Sequence, residues 1–469
     1  MQEQLTLPGM DFKPLASKKV VADFLGGNVS SDAGGLLLRQ ANEGTNIIQK
    51  LADCFTDFRN PKFIEHSVEE LLAQRIFGLA LGYDDLNDHD DLRRDPLMAT
   101  LVNKADPTGK SRKNARDMDC PLAGKSTLNR LELGAKDFKE DERYKKILLD
   151  QEMVHPFFVQ HFIDTTSTPP EEIILDVDAT DSILHGKQEE CFFHGYYGNY
   201  CYLPLYIFSG DYLLCARLRP SNIDGAQGCL EELQPIIAQI RKAWPQVRII
   251  VRGDSGFCRD NLMTWCEQNG VYYIFGISKN NRLIKKIKNQ LEHVRRKSIQ
   301  TQTARRTFRS FYYKPLKNWD YKRYVVGKAE HLPRKSNPRF IVTNLLDQKF
   351  TPKELYEEVY CARGDMENRI KEQQLCLFSD RMSSSVMRAN QLRCWFSGVA
   401  YMLMTHIRRV ALKGTKLAKA QCSTIRNKLL KIGAIVKVSV RRVYVSIASS
   451  FPLKEVFLEA KTHMENWVP

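Results

Sequence analysis

The run Ile173-Ile174-Leu175-Asp176-Val177-Asp178 constrains this chain more than any other stretch. An unbroken apolar segment of that length, following Thr168-Pro169-Pro170, fits a strand buried on both faces of a sheet, with aspartates at its end. The segments after it are equally legible. Tyr202 to Phe208 and Tyr212 to Leu218 read as strands joined by the turn Ser209-Gly210-Asp211. Asp224 to Trp244 is an amphipathic helix. Val247 to Val251 is a strand running into Arg252-Gly253-Asp254-Ser255-Gly256. Arg259 to Asn269 is helical, and Val271 to Ile277 is one more buried strand.

Three strands, a helix, a strand, a helix and a strand, with acids ending the first and fourth strands, is the order of the ribonuclease-H-like fold. The expected architecture is therefore α/β: a ribonuclease-H-like core with a β-rich basic insertion, a helical N-terminal region and a basic α+β C-terminal region. The segments are 1–150, mostly helical; 170–278, the first part of the core; 279–345, the basic insertion; 346–400, the completion of the core; and 401–469, the basic C-terminal region.

A third acid stands on a helix, Tyr360 to Glu372. At about 100° per residue, Tyr360, Arg363, Glu367 and Lys371 share a stripe about 80° wide. Such a stripe suits a solvated face laced with i,i+4 ion pairs. It also suits a site, because two strand-end carboxylates joined by one from a neighbouring helix can hold two divalent ions about 3.5–4 Å apart. Oxygen donors of this kind favour Mg2+ or Mn2+.

Charge narrows the partner. The chain has a formal net charge of +15. Lys279 to Arg339 carries 19 Lys or Arg against three acids, and Arg381 to Lys454 carries 15 basic residues and no Asp or Glu. Basic regions flanking an acidic centre suit phosphate backbones around a metal-dependent site. Phe308, Tyr312, Tyr313 and Trp319 interleave with the charges, as on a nucleic-acid surface. The 12 cysteines form no CxxC pair, which fits free thiols in a reducing cytoplasm. No signal peptide opens the chain, and the apolar run around Trp395 to Met404 is too short to span a bilayer.

Asp178-Ala179-Thr180, Arg252-Gly253-Asp254 and the helix Tyr360-x-x-Arg363-x-x-x-Glu367 resemble the three catalytic segments of DDE insertion-sequence transposases, in the branch with a YREK-type helix. The likeness spans nearly the whole chain. It implies that Asp178, Asp254 and Glu367 are catalytic and hold two Mg2+ or Mn2+ ions, and that Tyr360 and Arg363 contact DNA phosphates. The lysine expected seven residues after Glu367 is replaced by Gln374, and Lys371, on the same stripe, is the alternative. Lys279 and Trp319 are further candidate DNA contacts, Trp319 as a stack for an unpaired base. The implied partners are duplex DNA with terminal inverted repeats, target DNA and a second copy in a synaptic dimer, with no membrane. The implied setting is the bacterial cytoplasm, at the nucleoid.

Two other readings compete. Asp176-Val177-Asp178-Ala179-Thr180 also fits the DxDxT motif of haloacid-dehalogenase-like phosphatases, with Asp176 as nucleophile and Asp178 as general acid/base. A DNA-binding relative that has lost catalysis is the other. Asp176 and Asp181 are local rivals to Asp178 as first ligand.

Overall fold

The computed structural model describes residues 9–134, 144–346 and 350–468. The first eight residues of the irregular leader, and residues 135–143 of the expected helical region, lie outside the described residues. The chain forms two compact units, each built from separate stretches. These units cut across the segments read from the sequence, because strand pairing joins distant pieces of chain.

The larger unit comprises Thr45–Asp57, Glu132–Thr405 and the last two residues. It is organised by β1 (Glu172–Ala179), β2 (Leu205–Ser209), β3 (Tyr212–Arg217), β4 (Arg248–Gly253), β5 (Tyr272–Ile277), β6 (Arg305–Tyr313), β7 (Arg323–Leu332) and β8 (Arg339–Thr343). They run β3-β2-β1-β4-β5-β8-β7-β6 across one sheet, with the short Lys335–Ser336 strand beside β7. The pairs β1–β4 and β4–β5 are parallel, and the others along this order are antiparallel. Ile173, Leu175 and Val177 of β1 are buried, as the continuous apolar run requires.

Helices cover the sheet. Tyr401 of the helix Met387–His406 meets Phe208 of β2 edge-on at 5.9 Å. From the helix Gln151–Asp164, Phe162 packs between Tyr212 of β3 and Trp244, just past the helix Cys229–Ala243.

The insertion departs from expectation in two ways. It opens with helices, Asn281–Lys286 and Lys288–Thr301. Its strands then extend the main sheet through β8 on β5. The reason is burial: Phe340, Ile341, Val342, Val325 and Val326 have the same unbroken apolar character as β1 and find cover in the same sheet.

The smaller unit comprises residues 1–44, 58–131 and 406–467. Its helix Val68–Leu81 starts in a capping box, Ser67 and Glu70 satisfying each other's backbone N–H. Val29–Ser30 pairs with Ala434–Val438, which pairs with Val443–Ile447. The leader forms an exposed hairpin, Met10–Leu15 with Lys18–Ala22. A helix, Lys454–Glu465, follows these two C-terminal strands.

Candidate active site

Asp178 and Asp254 reach one rim of the sheet because their strands are parallel neighbours. Val177 is in register with Gly253, and each aspartate is the next residue along. Gly253 lets the two strands pack closely: a Cβ there would lie 2.8 Å from Val177 Cγ2, so a larger residue would force Val177 to shift. Asp254 caps the short turn Ser255–Phe257, its Oδ1 accepting from the Gly256 N–H at 2.7 Å. Asp178 Oδ1 accepts from the Ala179 N–H at 2.9 Å.

The segment bearing Glu367 begins at a second capping box, in which Thr351 and Glu354 hold each other's backbone N–H. It is no uniform helix. Wide π turns span Leu355–Tyr360, a tight 3-10 turn spans Cys361–Arg363, and regular α-helix resumes at Gly364–Lys371. Such irregular turns concentrate at functional sites.

At the first junction, the Val359 carbonyl accepts from Arg252 Nη1 at 2.5 Å. The rest of the Arg252 fork grips Asp176 with Nε at 2.5 Å and Nη2 at 2.7 Å. Both side chains are buried. A fixed guanidinium thus ties β1, β4 and the Glu367 segment together. Tyr360 seats its hydroxyl against Gly276, where a Cβ would come within 2.6 Å of it.

Above this floor, Arg363 donates from Nη1 to Asp178 Oδ2 at 3.1 Å and from Nη2 to Glu367 Oε1 at 3.3 Å. Burial is the main force raising the Asp178 carboxyl to about 6; Arg363 opposes the shift, and the charges of Asp254 and Glu367 add to it. Burial also raises the Tyr360 phenol, eased by Arg363. Burial works against the Arg363 charge, but Asp178, Tyr360, Asp254 and Glu367 hold its pKa above the ordinary value.

Over residues 12–469 the chain matches the family of transposase DDE domains, group 1. It belongs to that family. No curated protein matches the chain. Among solved structures it is similar to a piggyBac transposase in a synaptic complex with hairpin DNA, seen by cryo-EM. The identity is 13%, the match covers 86% of this chain and 80% of that one, and the TM-score is 0.42.

The phosphatase alternative fails on Asp176. That residue is 3% exposed with both oxygens on Arg252, so it can neither reach a substrate nor attack one. Asp181 is placed differently again, its backbone carbonyl accepting from Gln374 Nε2 at 2.9 Å.

Asp178, Asp254 and Glu367 suit a hard divalent cation by donor chemistry: all are carboxylates, two at adjacent strand ends and the third linked to Asp178 through Arg363. Among the described residues no three His, Cys, Asp or Glu side chains already stand close enough to hold an ion. Glu367, 51% exposed, is instead engaged by Arg363.

The remaining DNA-contact candidates do not join this cluster as side-chain partners. Lys371 and Lys279 are exposed. Trp319 is 7% exposed and packs edge-on to Tyr313 in the wall of a cavity of about 260 Å³ that also touches Ser255. Sequence reasoning missed the tie that Arg252 makes beneath the site and the seat of Tyr360 at Gly276. Arg252 stood in the Arg252-Gly253-Asp254 motif and, as an arginine inside an apolar strand, called for a buried acid such as Asp176. Among the described residues no helix is long and apolar enough to cross a membrane.

Proposed function

We propose that this chain is the DNA transposase of an insertion sequence, cutting and joining DNA at transposon ends by metal-assisted phosphoryl transfer on a ribonuclease-H-like core. The strand order β3-β2-β1-β4-β5, with its parallel β1–β4–β5 half, supports that core. The single observation carrying the functional reading is Arg363 joining Asp178 to Glu367 beside Asp254.

Asp178, Asp254 and Glu367 would hold two Mg2+ or Mn2+ ions. Bound there, the ions would make a water or a DNA 3′-hydroxyl nucleophilic and stabilise the leaving oxygen. The chain's own residues supply positioning. Arg363 presents a planar fork suited to two oxygens of one phosphate, so DNA competes with Asp178 and Glu367 for it. Tyr360 keeps its proton and can donate it in a hydrogen bond to a phosphate oxygen. Arg252 holds the segment so that both side chains face the acids. Lys371, Lys279 and the basic insertion would bind the flanking backbone, and a second copy would hold the other transposon end. Trp319 would need to leave its cavity wall to stack on a base.

The test is cleavage of an end-bearing duplex by Asp178→Asn, Asp254→Asn and Glu367→Gln proteins. Each is expected to lose cutting by at least about a thousandfold while binding persists, because the three acids act as one unit. Near-normal cutting by Glu367→Gln would remove the assignment.

A further inference from the structure

We infer that the hairpin Ala434–Val438/Val443–Ile447 in the smaller unit is a second duplex-DNA surface, entering a groove tip-first. This rests on the chain acting on DNA, as proposed above. One face of the hairpin is fixed: Ala434 and Val436 are buried, and Ala434 pairs with Ser30. The other face is presented. Lys437 stands opposite Tyr444 in the register, with Tyr444 49% exposed. The turn between the strands is closed by the Ser439 N–H donating to the Arg442 carbonyl at 2.8 Å and the Arg442 N–H donating to Ser439 Oγ at 3.2 Å. That turn holds Val440, fully exposed, beside Arg441 and Arg442.

The charges are available. Among the described residues no side-chain hydrogen bond or ion pair holds Lys437 or Arg441, and the Arg442 guanidinium donates only to the Tyr444 hydroxyl at 3.1 Å. No Asp or Glu lies between Arg381 and Lys454 to neutralise them. Beside the turn, a cleft of about 710 Å³ is lined by Arg441 and Arg442 on one wall and the exposed Lys110 on the other. Its acid, Asp106, is already engaged by the Thr108 and Ser111 N–H groups.

Duplex DNA fits these features better than an acidic protein does. A two-stranded ribbon, its strands about 4.8 Å apart, enters a major groove about 12 Å wide, and cations at its tip and flank then meet the phosphate rows on both sides. A short apolar tip suits base edges and thymine methyls.

The experiment measures binding of a short labelled duplex of mixed sequence by the full chain across a salt series. The triple variant Lys437→Ala/Arg441→Ala/Arg442→Ala is expected to lower the log–log salt slope by roughly 2–3, near one unit per lost phosphate contact. Val440→Asp is expected to weaken binding about tenfold at low salt, by placing a carboxylate between phosphate rows. All four positions are exposed, so thermal unfolding should match wild type. Wild-type slope and affinity in both hairpin variants would overturn the inference while leaving the DNA reading standing. A hairpin variant that loses self-association but not DNA binding would reassign the face to a protein partner and overturn it too. Absence of salt-dependent duplex binding by the wild type would overturn both readings.

Discussion

The floor and the mouth of the candidate site each pair an aspartate of β1 with an arginine, and the two pairs are built for opposite ends. Asp176 and Arg252 are buried, joined through two short hydrogen bonds, and the third arm of the fork is spent on the Val359 carbonyl. Asp178 and Arg363 share one longer bond, and the same guanidinium also serves the half-exposed Glu367. A fully committed buried arginine is costly to disturb, whereas a divided one near solvent exchanges partners readily. Two residues along one strand thus differ in kind: Asp176 is locked into a buried tie, and Asp178 shares its guanidinium near solvent.

The largest effect should come from breaking the floor. Arg252→Met leaves Asp176 charged and buried, and is expected to cost about 3–5 kcal/mol in denaturant unfolding of the larger unit. Adding Asp176→Leu should recover most of that loss; failure to recover would show that the Val359 link, not the ion pair, dominates.

Next comes the mouth. Arg363→Lys replaces a fork with a point charge, so cleavage of an end-bearing duplex should fall about a hundredfold, since a displacement of about one ångström suffices for that. Stability should change by only about 0.5 kcal/mol. A large stability loss with intact cutting would make Arg363 a second Arg252 and erase the contrast.

A smaller effect separates the pairs by pH. Asp178 titrates at about 6 in the fold against the ordinary 3.8. The folded chain therefore holds that proton more tightly than the unfolded chain. Stability should fall as pH rises from 3.8 to about 6, and stay reduced above that. In metal-free buffer the total is about 3 kcal/mol, and Asp178→Asn should remove that part of the slope. An unchanged slope would place the titration elsewhere. Smallest of all, Gln374→Ala should cost about 1 kcal/mol, the value of its bond to the Asp181 carbonyl.

The order of the core strands and the strand-end aspartates were legible because buried parallel strands write themselves as unbroken apolar runs. Ile173 to Leu175 and Ile249 to Val251 are such runs, and both lie in observed strands. The helices opening the basic insertion were readable in principle: Leu283, Ile287, Val294 and Ser298 lie at helical spacing and are buried, but the dense Lys and Arg between them masked the stripe. Periodicity placed Arg363 and Glu367 together on a face, as their contact bears out. It could not foresee the π and 3-10 turns, where the Val359 carbonyl accepts from Arg252, 107 residues away in sequence. The close seat of Tyr360 on Gly276 is likewise a tertiary fact.

The central claim is that Asp178, Asp254 and Glu367 form one divalent-cation site whose third acid Arg363 engages. Titration of the full chain with Mn2+, following the free-ion paramagnetic signal, tests it directly. Wild type should bind Mn2+, the amide variants of all three acids should bind it more weakly, and Arg363→Lys should bind it at least as tightly as wild type. Unchanged Mn2+ affinity in Asp178→Asn, Asp254→Asn and Glu367→Gln would contradict the claim.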